Sequence, residues 1–300
     1  MLEKLNKNIQ EILKGVGCVA DTLGYECYVV GGFVRDLIMN VPNDDIDFVV
    51  VGNGLNMANA VAKYFKTDKV SLYESYGTAK VDINGFEIEF VGARKEFYHR
   101  ESRNPIVENG TLEDDMMRRD LTINDIAICV NSNHFDVLVD PHNGVNDIIK
   151  GIIRTPLDPN ITFSDDPLRM LRAIRFATRF SFEFDAATWQ GIVDNSERIK
   201  IITKERIAEE VCKMMRGKDP VSAFRYLDES GLLKIIIPAV YDMHCRKDDV
   251  YKRKHKDIFE HSLKVLQEVC KASGKEFKIN PGDGAFYGPK LDFKVKDCMN

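Results

Sequence analysis

Nothing in the 300 residues approaches the ~20 consecutive apolar residues needed to span a bilayer, so no membrane partner is expected. The opening MLEKLNKNIQEILK is amphipathic and lacks the charged-then-apolar order of an export leader. The chain is therefore expected in the cytoplasm. Its seven cysteines, at 18, 27, 129, 212, 245, 270 and 298, never form C-x-x-C. They match the spacing of neither a zinc site nor a disulfide framework, and read as reduced, mostly buried thiols. Internal repeats and low-complexity tracts are also missing.

What is there is an ordinary globular composition, 44% hydrophobic and 30% charged, long enough for two or three units. The net charge of -5 hides a basic run, with Arg246, Lys247, Lys252, Arg253, Lys254 and Lys256 against only Asp248 and Asp249. Apolar positions at Leu5, Ile9, Ile12, Leu13, Val16, Val19 and Ala20 predict a helix over 3–23, ended by Gly24. YECYVV, DIDFVVV, GTAKVDI and FEIEFV read as strands, the last two joined at Asn84-Gly85, a hairpin signal. Helical patterns at 33–39 and 55–65 fall between them. Residues 95–110, polar with a single Pro105, read as a mobile loop. From about Asp158 strands give way to helical patterns at 164–180, 186–195, 205–216 and 221–230. The fold class is α+β: a small mixed sheet carrying helices, then an all-helical region.

Within VVGGFVRDLIMNVPNDDIDFVVVG, Gly31 and Gly32 separate a strand from a helix, where backbone N-H groups can approach a phosphate. Arg35 adds a fixed positive charge. Asp45 and Asp47 lie two apart on a strand, so they share one face, and their mutual repulsion makes sense around Mg²⁺. Glu87 and Glu89 are in phase on a later strand, either offering a third carboxylate to a two-metal site. Each piece alone also reads blandly, as a turn or as solvated strand-end acids; the combination at this spacing favours the metal site.

GGFVRDLIMNVPNDDIDFVV resembles the head-domain signature of class II tRNA nucleotidyltransferases and the related bacterial poly(A) polymerases, of the DNA polymerase beta type. EFVGARKEFY, DMMRRDLTINDIAI, DPHNGVNDIIKGIIRT, DDPLRMLRAIRFATRF and ERIAEEVCKMM resemble further motifs of that family, in its order, over about residues 20–265. The resemblance implies a head at 1–155, a neck that reads the nucleotide base at 156–218, and a truncated helical body at 219–270. It implies addition of C and A to the 3' end of tRNA from CTP and ATP, with Mg²⁺ held by Asp45 and Asp47. A poly(A) polymerase, a CC- or A-adding enzyme, or an inactive RNA-binding remnant stay as alternatives.

By the same resemblance Gly31, Gly32, Arg35 and Asp36 hold the nucleotide's triphosphate end, and Glu89 is the third carboxylate. Arg119, Asp120 and Asn124 contact the ribose, although a helix start with a local ion pair also accounts for them. Asp125 stands where the family usually has alanine, and Asp165 where it has glutamate. Ser164 reads as an N-cap with Asp165 and Asp166 in the first turn. Asp166 and Arg169, three apart, can offer an acceptor and a donor side by side to C and A but not to U and G, the role the family gives them. Arg172, Arg175 and Arg179 form either a solvated basic face or a phosphate-contacting one.

HKDIFEHSLKVL resembles the entry helix of an HD-type phosphohydrolase, yet the chain has no His-Asp doublet, and His255, Asp257 and His261 are too few ligands. No phosphohydrolase activity is expected. Residues 277–300, within a last unit at 271–300, resemble a segment of threonyl-tRNA synthetases, suggesting a fusion or truncation.

Overall fold

The computed structural model describes residues 1–74, 77–99, 102–244, 259 and 262–267. The basic run, the phosphohydrolase-like His255, Asp257 and His261, and the synthetase-like unit at 271–300 lie outside the described residues.

The head opens with α1 (Lys7–Leu23), whose start is capped by the Asn6 side chain and whose end is closed by left-handed Gly24. Then come β1 (Glu26–Val30), α2 (Gly32–Ile38), β2 (Ile46–Val51), α3 (Gly54–Phe65), β3 (Val70–Tyr73), β4 (Thr78–Ile83) and β5 (Phe86–Gly92). The Asn84-Gly85 hairpin forms as read, both residues having positive φ. After β6 (Arg94–His99), β7 (Ser102–Asn109) and α4 (Leu112–Met117) the chain adds β8 (Ala127–Cys129), β9 (Leu138–Val139) and α5 (Gly144–Lys150). Seven strands form one sheet in the order β3-β4-β5-β2-β1-β8-β9. Only β2 and β5 within it are parallel.

One face of this sheet is apolar. Cys27, Val29, Phe48, Val50, Ile88 and Phe90 bury against α1 and α3, with Phe48 and Phe90 stacked 5.2 Å apart. The other face is covered only in part, by Met116 and Leu112 of α4 over Val30, Val49 and Ala127. Its uncovered end carries the acids. Strand alternation puts every second residue of β2 on that face, so the apolar face that drives folding also fixes where Asp47 points.

Within the stretch read as a loop, β6 and β7 pair as a two-stranded antiparallel ribbon. A free ribbon tolerates polar side chains on both faces. It also tolerates Pro105, which lies level with the register shift between Phe97 and His99.

The helical part begins with β10 (Ile152–Ile153), α6 (Pro159–Asp165) and α7 (Leu168–Phe180), followed by β11 (Glu183–Phe184), which pairs with β10. α8 (Ala186–Asn195), α9 (Lys204–Met215), α10 (Pro220–Glu229), α11 (Leu232–Ile236) and α12 (Pro238–Tyr241) complete it. The single helix predicted over 164–180 is two. Pro167 has no N-H to give and forces Asp166 into the extended region (φ -132°), so α6 ends at Asp165. Ser164 is therefore inside α6 and caps nothing; it is the Asp166 side chain that accepts from the Leu168 N-H at 3.1 Å. The core runs without a break from α1 through α7 to α11, and Phe259, Leu263 and Leu266 bury in it too.

Candidate nucleotidyl-transfer site

Asp45 is exposed just before β2, Asp47 is half-buried on it, and Glu89 is the residue directly beside Asp47 on β5. Burial first, then the charges of Asp45 and Glu89, push the Asp47 carboxyl up to about 7, with Arg119 and Lys80 only partly opposing them. Lys80, opposite Glu89 on β4, reaches Glu87 at 3.1 Å and Glu89 at 3.9 Å. Among the described residues no three His, Cys, Asp or Glu side chains converge on one point. The donor set of Asp45 and Asp47 nonetheless fits a hard cation. It is all carboxylate oxygen, and its repulsion is only partly offset by Arg119 and Lys80.

Gly31 has φ +70° and ψ -129°, a backbone open only to glycine, and an added Cβ would also stand 3.2 Å from Arg119 Nη1. Arg119 thus lies across the glycine turn. It is held there by Asp115 Oδ2 (3.0 Å) and the Asn124 carbonyl (3.3 Å). Asp115, wholly buried, also takes Arg118, which reaches on to Glu96 of the ribbon at 3.3 Å. Its spacing of three and four residues from Arg118 and Arg119 is the sequence signal of this cluster.

Arg35 and Asp36 are a correction to the sequence reading. Only 3% and 2% exposed, they bond to each other through Arg35 Nε and Asp36 Oδ1 at 2.8 Å. Arg35 Nη1 donates to Asn124 Oδ1 at 2.5 Å, and its guanidinium lies 5.1 and 4.9 Å from the Phe176 and Phe180 ring centres. A buried guanidinium needs a carboxylate, an amide or a ring, and Arg35 has all three, so its charge is not presented to a phosphate.

Asp120 and Asn124, each 7% exposed, are likewise occupied. Asp120 Oδ1 accepts from the Leu121 N-H and from Asn124 Nδ2, and Oδ2 accepts from Arg172 Nε at 2.6 Å. Burial pulls that carboxyl upward, but the Arg172 charge and the Asn124 amide outweigh it and hold it at about 2. Arg175 pairs with Glu210 at 2.6 Å. Arg179 approaches Asp36 at 4.0 Å. Arg172 and Arg175 of the basic stripe of α7 are thus paired with acids, while the Arg179 side chain stays 46% exposed.

Asp166 is partly exposed at the head of α7, and Arg169, 9% exposed, donates from Nη1 to the Thr162 carbonyl at 3.4 Å. Next to the Arg119 cluster, Asp125 is fully buried, with Oδ2 2.5 Å from His142 Nδ1 and Oδ1 without a hydrogen-bond partner. Burial pushes its carboxyl up to about 8, and burial lowers His142.

Residues 27–154 match the poly A polymerase head domain, and residues 181–243 match the probable RNA and SrmB-binding site of polymerase A. Residues 27–154 belong to the poly A polymerase head-domain family. The chain is 34% identical over 231 residues to an A-adding tRNA nucleotidyltransferase of Geobacter sulfurreducens, covering 76% of this chain and 26% of that one. A second A-adding tRNA nucleotidyltransferase, from Halalkalibacterium halodurans, is 33% identical, with 76% and 54% covered. Among solved structures, a CCA-adding enzyme in complex with CTP superposes with a TM-score of 0.73 at 30% identity, covering 91% of this chain and 60% of that one. The chain thus spans between a quarter and about half the length of these curated relatives. The α+β fold of a nucleotidyltransferase head with a helical region behind it is the fold of this family.

Proposed function

We propose that the chain is a template-independent RNA nucleotidyltransferase that adds C and A to the 3' end of tRNA from CTP and ATP. The observation that carries this reading is the half-buried Asp47 on the open sheet face, next to the charges of Asp45 and Glu89 that Arg119 and Lys80 only partly offset, with the Gly31-Gly32 turn and Arg119 beside it. Asp45 and Asp47 would hold Mg²⁺, which when bound supplies positive charge to the triphosphate and to the attacking hydroxyl. Arg119 offers fixed positive charge over the glycine turn. Asp166 and Arg169, at the start of the neck, present the acceptor and donor that select a base edge. The terminal hydroxyl of the RNA would then form its ester with the α-phosphate as the bond to pyrophosphate breaks.

A narrower reading, addition of A alone, is favoured by the two relatives named as A-adding enzymes. Incubating the chain with tRNA lacking CCA, and CTP and ATP given separately and together, separates the two. A ladder of C, CC and CCA supports the full activity. Single A addition, only on tRNA already ending in CC, selects the narrower one. No incorporation under any of these conditions defeats both.

A further inference from the structure

A continuous chain of polar contacts runs from the carboxylate loop to the neck. Asn43 Oδ1 accepts from the Asp45 N-H at 2.9 Å, and Asn43 Nδ2 donates to Asp36 Oδ2 at 2.8 Å. Asp36 Oδ1 accepts from Arg35, Arg35 donates to Asn124 Oδ1, and Asn124 Nδ2 donates to Asp120 Oδ1 at 3.1 Å. Arg172 of α7 closes the chain on Asp120 Oδ2. The four central members are each less than a tenth exposed.

The order of donors and acceptors leaves this chain one arrangement. Arginine only donates and an ionised carboxylate only accepts, so each fixes the orientation of its neighbour. Asn124 is held with its oxygen toward Arg35 and its amide toward Asp120, and cannot flip without breaking both bonds. Asn43 is similarly set between the Asp36 carboxylate and a backbone N-H. Asp36, Arg35, Asn124 and Asp120 are buried and three of the four are charged, so an opened link among them leaves an unpaired group at a cost well above that of a surface bond. Displacement at the neck end is thus passed on to the loop carrying Asp45 rather than absorbed.

We infer that Arg172 is a positioning residue: through Asp120, Asn124, Arg35, Asp36 and Asn43 it holds the Asp45 loop in register with the neck. The base-selecting pair Asp166 and Arg169 sits on the neck and the carboxylates sit on the head. Transfer requires both to meet one nucleotide, and small misplacements of reacting groups are costly. The inference rests on the proposed function for its kinetic consequence, but not for its effect on the loop.

The test is a double-mutant cycle on the full chain with Arg172→Gln and Asn43→Ala, residues at opposite ends with no partner in common. Distant substitutions ordinarily act additively. Each single change should lower kcat/KM for nucleotide addition about tenfold, chiefly through kcat. The double variant should lose only about two- to threefold more than either single variant, and not the roughly hundredfold of independent effects. Titration with Mn²⁺ alone, followed by water-proton relaxation, reads the loop without catalysis. Arg172→Gln should weaken Mn²⁺ binding about threefold or more, and Arg172→Lys, which keeps the charge, should recover part of it. Multiplicative kinetic losses, or Mn²⁺ affinity equal in wild type and Arg172→Gln, overturn the inference. If the wild type adds no nucleotide, the proposed function fails while the Mn²⁺ titration still decides this one. If Arg172→Gln does not fold, the titration is read on Arg172→Lys, where unchanged affinity is again the overturning result.

Discussion

The open sheet face and the seam between head and neck hold the same kinds of residue in opposite states. At the seam, Arg35 meets Asp36, Arg172 meets Asp120 and Arg175 meets Glu210, each guanidinium matched to a carboxylate within 2.8 Å. At the open face, Asp47 feels the charges of Asp45 and Glu89 with only partial relief from Arg119 and Lys80, and is driven up to about 7. Paired charges build the protein; unpaired ones of one sign mark where it is built to receive something. The family resemblance puts Arg35, Asp36 and Asp120 of the seam among the site residues together with Asp45, Asp47 and Glu89.

The difference is broken most directly at Asp47. Asp47→Ala should abolish nucleotide addition, a loss of about 10³-fold or more on primer extension, because it removes half of the cation's donor set. The same change should stabilise the metal-free fold near neutral pH. Folding raises this carboxyl from 3.8 to about 7, so its favourable contribution is full at acid pH and lost as pH climbs through about 7. The gain should be about 2 kcal/mol, near half of the full shift because the group is partly solvated. Denaturant melts with chelator present check it; a destabilised variant would show that the acids are compensated after all.

Asp36→Ala should do the reverse. It leaves the Arg35 guanidinium buried with only an amide and two rings, and should cost about 3 kcal/mol of unfolding free energy in denaturant titration. A cost like that of a surface ion pair, below about 1 kcal/mol, would mean that the seam is not held by its charges.

Asp125 sharpens the comparison, since it is buried like the seam and unsatisfied like the open face. Its carboxyl goes from 3.8 to about 8 on folding, so the protonated form favours the fold; that stability is complete at acid pH and drains as pH rises through about 8. His142, lowered by burial, works the other way, losing stability as pH falls. Thermal melts should therefore drop between about pH 7 and about pH 9, on the order of 1–2 kcal/mol. Asp125→Asn, which cannot ionise, should flatten that slope. A wild-type curve already flat over this range would refute the assignment.

What could be read beforehand follows the same division. Strands at 25–30, 45–51, 77–83 and 86–91 were legible because one face had to be apolar, and alternation then placed Asp47 and Glu89 in phase on the other. The β6–β7 ribbon was not, because its apolar Phe97, Ile106 and Val107 stay exposed and leave no core-facing hydrophobic period to find. Pro167 was in plain sight, but the apolar rhythm continues across it from Phe163 to Leu168, and rhythm was followed over the breaker. Arg35 was misplaced for a deeper reason. Its partners Asn124, Phe176 and Phe180 are remote in sequence, so only the fold tells a buried arginine from an offered one.

The base selection proposed for the neck is a smaller effect. Arg169→Ala should relax the preference for C and A over U and G about tenfold, measured by single-nucleotide incorporation, while the KM for triphosphate changes less. Arg169 is 9% exposed and braced on the Thr162 carbonyl, so its guanidinium plane is fixed, which a selector of base edges requires. Unchanged preference across the four nucleotides would remove it from that role.

Lys80 sets the lower end of the scale. Its ammonium is the cation nearest Glu87 and Glu89, at 3.1 and 3.9 Å, but the lysine side chain is 35% exposed and Glu87 71%. Water screens such a pair, and long side chains lose entropy in holding it, so Lys80→Ala should change stability by about 0.5 kcal/mol or less. Its charge also tempers the Asp47 carboxyl, the weakest of the influences acting there. Removing it should therefore leave the open face slightly more acidic and more attractive to a cation. Mn²⁺ titration should show affinity unchanged or up to about twofold tighter. Weaker binding in Lys80→Ala would mean that the lysine orients Glu89 toward the ion, and the open face would then share the seam's logic of paired charges.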